Sequence, residues 1–226
     1  MKKFLFIICA VLIILPAFVI SSCTQEIKNI STDTTLSDGS TGALANNKAV
    51  DFYFYYPENC VLIKNDAMIM VYVPDSKVVQ STTAQNSADS TGSSGSVSET
   101  QTVPAASFDG VAFPVGPNLS ATVFGLPEGK YSDAMDYWNN YALPGYEIIY
   151  QNIQFDPAEP EDVTLDGISG KKYTFTAGMA GIPLKISQVV FFNRNQVYSL
   201  IYTSTPDKFD QYANILTTAV ETFKFK

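Results

Sequence analysis

The sequence predicts an α+β fold built on a single antiparallel β-sheet with helices packed against it. Three observations lead there. Residues 146–203 read as four or five strands joined by short turns, as an antiparallel meander requires. Two amphipathic helical stripes flank that run, one near Tyr131–Ala142 and one after Pro206. The apolar share is dominated by 13 tyrosines and 15 phenylalanines while charged residues make up only 16%, a profile suited to a β-rich domain.

The chain opens with Lys2 and Lys3, an apolar run from Phe4 to Ile20, and then Ile20-Ser21-Ser22-Cys23. A basic start, an apolar core and small residues before a cleavage point make residues 1–22 an export signal. The alternative is a retained transmembrane helix, for which the run is at the lower limit of length. Ile20-Ser21-Ser22-Cys23 resembles the lipobox of bacterial lipoproteins. That resemblance implies that Cys23 is thioether-linked to diacylglycerol, which palmitate would label, and becomes the mature N-terminus once the signal is cut. The domain would then be held at the extracytoplasmic face of the cell membrane, since two or more acyl chains give durable attachment.

Removing residues 1–22 from the 226 leaves 204, enough for one domain with a sizeable core. Loss of Lys2 and Lys3 lowers Lys+Arg from 14 to 12 against 22 Asp+Glu, a formal net charge of −10. With no basic run, nucleic acid is excluded as a partner. Of the three cysteines, Cys9 leaves with the signal and Cys23 is assigned to lipid. Cys60 alone remains, so no intramolecular disulfide forms, and its apolar neighbours Val61-Leu62-Ile63 favour a buried, inert thiol. There is no histidine, which removes the usual general base, the commonest metal ligand and every Ser-His or Cys-His pair.

Residues 23–48, rich in Ser, Thr, Asp and Asn, read as a flexible tether with an r.m.s. reach of roughly 25–30 Å. The folded domain is expected over 49–226. Val50 to Tyr56 reads as a strand stopped by Pro57, with Phe52, Phe54 and Tyr56 on one face and Asp51, Tyr53 and Tyr55 on the wetter one. Tyr53 and Tyr55 are the candidate partner surface; a second helical layer covering them is the alternative. Cys60–Ile63 and Ala67–Val73 are two further strands. Residues 76–107, almost all small and polar, read as a disordered insertion within the domain.

Leu119–Phe124 reads as a strand. Ser132 is the expected N-cap of a helix with an apolar stripe of Tyr131, Ala134, Met135, Trp138, Tyr141 and Ala142, ending at Pro144-Gly145. Trp138 is assigned to the core. Strands follow at 146–155, 163–165, 172–176, 184–192 and 197–203, with Asp166-Gly167 and Asn193-Arg194-Asn195 as turns. Thr205-Pro206-Asp207 starts a last helix, whose stripe is Phe209, Tyr212, Ala213, Leu216, Ala219, Val220 and Phe223.

Three stretches resemble the PsbP-like domains: Phe54-Tyr55-Tyr56-Pro57, Leu165-Asp166-Gly167 with the alternating strand through Tyr173, and Val197–Phe225 with Thr205-Pro206 and Phe223-Lys224-Phe225. The likeness covers residues 49–226. Cys60 stands about where that family often carries tryptophan. The resemblance implies an α/β/α sandwich acting as a binding or assembly module for a protein or envelope component and not an enzyme; a monomer without cofactor is expected.

Carboxylates are the only plausible catalytic groups. Asp156, Glu159, Glu161 and Asp162 read as a solvated acidic loop without the ligand spacing of an EF-hand; loose binding of Ca²⁺ is the alternative. A small extracytoplasmic enzyme acting on cell-wall glycans, through a pair such as Asp133 and Glu147, is the alternative function.

Overall fold

A computed structural model describes residues 30–64, 68–74, 105–108, 111–114, 116–127 and 129–226. The signal at 1–22, Cys23 and most of the 76–107 insertion lie outside them. The strands are β1 Asp33–Thr35, β2 Thr41–Asn46, β3 Phe52–Pro57, β4 Val61–Lys64, β5 Met68–Tyr72, β6 Ala105–Phe108, β7 Val111–Pro114, β8 Asn118–Gly125, β9 Gln151–Phe155, β10 Glu161–Leu165, β11 Ile168–Met179, β12 Ile182–Asn193, β13 Gln196–Ser204 and β14 Lys224–Phe225. The α-helices are α1 Ala134–Tyr137, α2 Leu143–Ile149, α3 Pro206–Tyr212 and α4 Asn214–Thr222, with a π-helical turn Trp138–Ala142 joining the first two.

The expectation of a single sheet is corrected. An eight-stranded antiparallel sheet includes β10-β11-β12-β13-β8-β5-β4, with β9 also on β11; a separate sheet runs β1-β2-β3-β14; β6 and β7 form a hairpin of their own. The first aromatic strand, β3, therefore lies in the smaller sheet, antiparallel to the C-terminal strand. Alternation alone reveals which residues share a face, not which edge a strand joins.

Within the stretch expected to be tether, Asp33–Thr35 and Thr41–Asn46 are two strands of that small sheet. Their polarity hides three packing residues. Leu36 and Ala45 are buried, and Gly42 lies so close under Leu36 that a Cβ there would meet Leu36 Cδ2. Ala105–Phe108, at the end of the expected insertion, is also a strand.

The large sheet is the central layer. Along β12, Val189 and Phe191 face one core cluster and Ile186 and Val190 the other. The first cluster is closed by Phe52 and Phe54 of the small sheet and by Phe209, Ile215, Leu216, Ala219 and Phe223 of the C-terminal helices. The second is closed by Ala134, Tyr137, Trp138 and Ala142. The third layer thus combines strands with helices, in place of the purely helical layer an α/β/α sandwich implies.

Turn chemistry explains the meander. Asp166-Gly167, Ala180-Gly181 and Arg194-Asn195 all have positive φ and close hairpins between Leu165 and Ile168, Met179 and Ile182, and Asn193 and Gln196. Two positive-φ residues make the turn whose twist matches the flanking strands. The last helix starts at Thr205 with Pro206 in its first turn, as expected, although the Thr205 hydroxyl makes no capping bond. It is split at Ala213 into α3 and α4.

Candidate functional site

The α1–α2 segment carries the most exposed apolar side chains of the described residues. Its start is capped reciprocally. The Asp133 carboxylate accepts from Asp136 N at 2.9 Å, while Ser132 N donates back to Asp136 Oδ2 at 2.8 Å. The N-cap is Asp133 rather than Ser132, one residue beyond the expected place. Ser132 N and then the Asn140 amide hold the Asp136 carboxyl below the usual carboxylate range.

The helix does not stop at Pro144-Gly145. Leu143 N donates to Trp138 O, five residues back, and this π-turn lets the chain pass a residue that lacks an N–H and crowds the preceding turn. The helix runs on to Ile149, and Tyr150 ends it in an extended conformation with its N–H on Tyr146 O at 2.7 Å. Its inner side is held by two anchors. The Trp138 ring stacks on Tyr173 with centroids 3.8 Å apart and planes 7° apart. The Tyr146 hydroxyl donates to Gln188 Oε1, and Gln188 Nε2 donates to Ser199 Oγ at 2.7 Å, a polar thread into the large sheet. Burial is the first cause that pushes the Tyr146 hydroxyl up from its ordinary pKa.

Ala134, Tyr137 and Ala142 are buried on the same side, and four apolar side chains of the segment face out. Ile148 is 77% exposed and Ile149 55%, with Met135 and Tyr141 also exposed. Lys130 Nζ lies 5.1 Å and 5.6 Å from the ring centres of Tyr131 and Tyr141, within cation–π range. Residues 146–155 were expected to form one strand; the structure starts the strand at Gln151 and leaves two β-branched residues on an open helix end. Such a conflict between local preference and conformation is often found at functional sites.

A second surface is the outer face of the small sheet. Tyr53 and Tyr55 are half-buried there, with rings edge to face at 6.3 Å. Across the strands Tyr55 is paired with Leu44, and Tyr53 with Asn46 and Lys224. The Tyr55 hydroxyl donates to Ser31 O at 2.9 Å. Burial first, then Tyr53 and Asp33, raise its pKa. A shallow open depression beside this face is lined by Thr32, Ala43, Leu44, Asn46, Asn47 and Lys48.

No protein-family model matches the chain, and no curated protein matches it by sequence. Among solved structures it is similar to the cyanobacterial PsbP (CyanoP) of Synechocystis sp. PCC 6803, at 11% identity over 82% of this chain and 92% of that one, with a TM-score of 0.49. It is also similar to LpqN of Mycobacterium tuberculosis, a protein involved in cell envelope biogenesis, at 12% identity, 86% and 90% coverage and a TM-score of 0.48. PA94 of Pseudomonas aeruginosa is similar at 12% identity, 80% and 94% coverage and a TM-score of 0.44. At 11–12% identity these likenesses assign no activity.

The remaining candidates are taken up structurally. Glu161 and Asp162 pair with Lys172 at 3.0 Å and Lys171 at 2.6 Å across the β10–β11 hairpin, whereas Asp156 and Glu159 are exposed. Among the described residues no group of three or more His, Cys, Asp or Glu could hold a metal. Of the glycosidase pair, Asp133 is the helix cap and Glu147 is exposed on α2. Cys60 is 8% exposed, and burial pushes its thiol up to about 11, far from a reactive thiolate. Among the described residues no helix is long and apolar enough to cross a membrane.

Asp166 does more than turn the β10–β11 hairpin. Its carboxylate accepts from Lys224 Nζ at 2.6 Å and from Phe225 N at 3.1 Å, tying down the C-terminal strand. The Lys224 hydrogen bond is the first cause of its lowered pKa. A depressed folded-state value means that the tie stabilises the fold above the unfolded carboxylate pKa of about 3.9 and is lost as pH falls through the lower value. Asp166→Asn should therefore melt below wild type at neutral pH. The gap should close below about pH 4, which melting curves across the acid range would read; a gap independent of pH would remove Asp166 as the tie.

Proposed function

We propose that the chain is an extracytoplasmic lipoprotein, anchored through Cys23, whose PsbP-like domain is a non-catalytic binding or assembly module for a protein or envelope component. The observation that carries the reading is the open helix end at Ile148 and Ile149, 77% and 55% exposed, on a segment fixed from beneath by Trp138 and Tyr146. A rigid support under exposed aliphatic side chains suits recognition, because little ordering entropy is left to lose on binding. The employment of Asp133, Asp136, Glu161, Asp162 and Asp166 in caps, turns and ion pairs supports a module over a carboxylate enzyme. The helix layer and the small sheet cover opposite faces of the large sheet, so a partner on the helix layer would leave the small sheet uncovered.

A photoreactive phenylalanine analogue at Ile148, irradiated in intact cells, should give a discrete adduct. The same analogue at the exposed Glu159 should not. Ile149→Asp should reduce the Ile148 adduct at least several-fold while changing the melting temperature little, as surface substitutions do. Absence of any adduct at Ile148 would remove this surface from the account.

A further inference from the structure

The small sheet begins earlier than composition suggests, and this changes what the tether can do. Ser31 is already bound into the domain through Tyr55 Oη, and Thr32 O accepts from Leu44 N at 3.0 Å. Only eight residue steps separate Cys23 from Ser31. At roughly 3.3–3.6 Å each they span at most about 29 Å. The 25-residue tether expected from composition would span at most about 90 Å, some three times as far.

The entry point is specific. Chain arriving from Cys23 joins the sheet beside Tyr55, on the same outer face as Tyr53 and Leu44. We propose that this face, Tyr53, Tyr55 and Leu44, rests on the headgroup region of the bilayer that holds the lipid on Cys23. The inference rests on the lipoprotein reading above. Tyrosine favours that zone because its ring is apolar and its tip is wet. Lys48 is exposed beside the face and Lys224 flanks Tyr53, but Asp33 is close to Tyr55 and Asp166 already engages Lys224. The face is therefore mixed in charge, and with a mature formal charge of −10 the protein has no use for anionic lipid. Contact is with zwitterionic headgroups and is made favourable by the short tether, which keeps the face at high effective concentration near the surface. The α1–α2 layer, across the large sheet, then points away from the membrane.

The chain has one tryptophan, Trp138, in the layer away from this face, which makes a positional test direct. The lipoprotein is purified from membranes as wild type, Tyr53→Trp, Tyr55→Trp and Ile148→Trp. Each is reconstituted into phosphatidylcholine vesicles with or without lipids brominated near the headgroup end of their acyl chains. Flotation with the vesicles reports the anchor, and bromine quenching reports depth. All four proteins should float; the added emission of Tyr53→Trp and Tyr55→Trp should be mostly lost, while Trp138 and Ile148→Trp emission is kept. Quenching should be unchanged by high salt or by added phosphatidylglycerol. Proteins that float without quenching at 53 or 55 overturn the face contact alone, and a protein partner then becomes the occupant. Failure to float overturns the anchor and the contact with it. Two probe positions guard against one substitution disturbing the sheet.

Discussion

Trp138→Ala should lower the unfolding free energy by about 3–5 kcal/mol, the range for emptying a fully buried large aromatic site. Trp138 is 2% exposed and fills the cluster between the α1–α2 segment and the large sheet. It stacks on Tyr173 and meets Tyr146, Phe155 and Phe175 at ring distances of 5.7–6.3 Å. No small movement refills so large a void, because Tyr173, Phe175 and Phe155 on its sheet side belong to paired strands of the meander. Domains of this kind are stable by about 5–15 kcal/mol, so the variant should lose between about a fifth of its stability and all of it. Urea titration measures the loss. A loss under about 1 kcal/mol would mean that the segment is not seated on Trp138.

Phe223→Ala should cost a similar amount, about 3–5 kcal/mol, for a different reason. Phe223 is the hinge between α4 and β14 and is 1% exposed. Its ring lies 5.1 Å from Phe52, 5.1 Å from Phe191 and 5.2 Å from Phe225. It therefore joins the small sheet, the large sheet and the C-terminal strand at one point. Besides lowering global stability, its loss should free β14 from β3 preferentially. Hydrogen exchange at Phe52 and Tyr53, the residues paired with β14, should accelerate more than exchange at β12. Equal acceleration in both sheets would show that Phe223 acts only as general core filling.

These two sites also mark what the sequence makes legible. Helical spacing alone places Trp138 and Phe223 on apolar stripes, because each neighbours apolar residues three and four positions away. Asp166-Gly167 declares its turn by residue type. The alternation of Phe52, Phe54 and Tyr56 correctly separates the buried face of β3 from Tyr53 and Tyr55. What failed was non-local. Nothing in Thr41–Asn46 distinguishes a strand from a polar tether until Leu36 is seen over Gly42 and Ala45 is seen buried. Tyr146–Ile149 has the composition of a strand, and only the π-turn before Pro144, with Tyr146 bonded to Gln188, explains why it is helix. The most exposed residues of the candidate site lie in that misread stretch.

The anchor at Cys23 is the central claim, since the short tether and the outward-facing helix layer both derive their meaning from it. Labelling cells with palmitate and comparing the wild-type chain with Cys23→Ala tests it most directly. The account predicts label on a wild-type protein of mature size, and an unlabelled Cys23→Ala protein retaining residues 1–22. Equal label on both proteins, or none on the wild type, would contradict it.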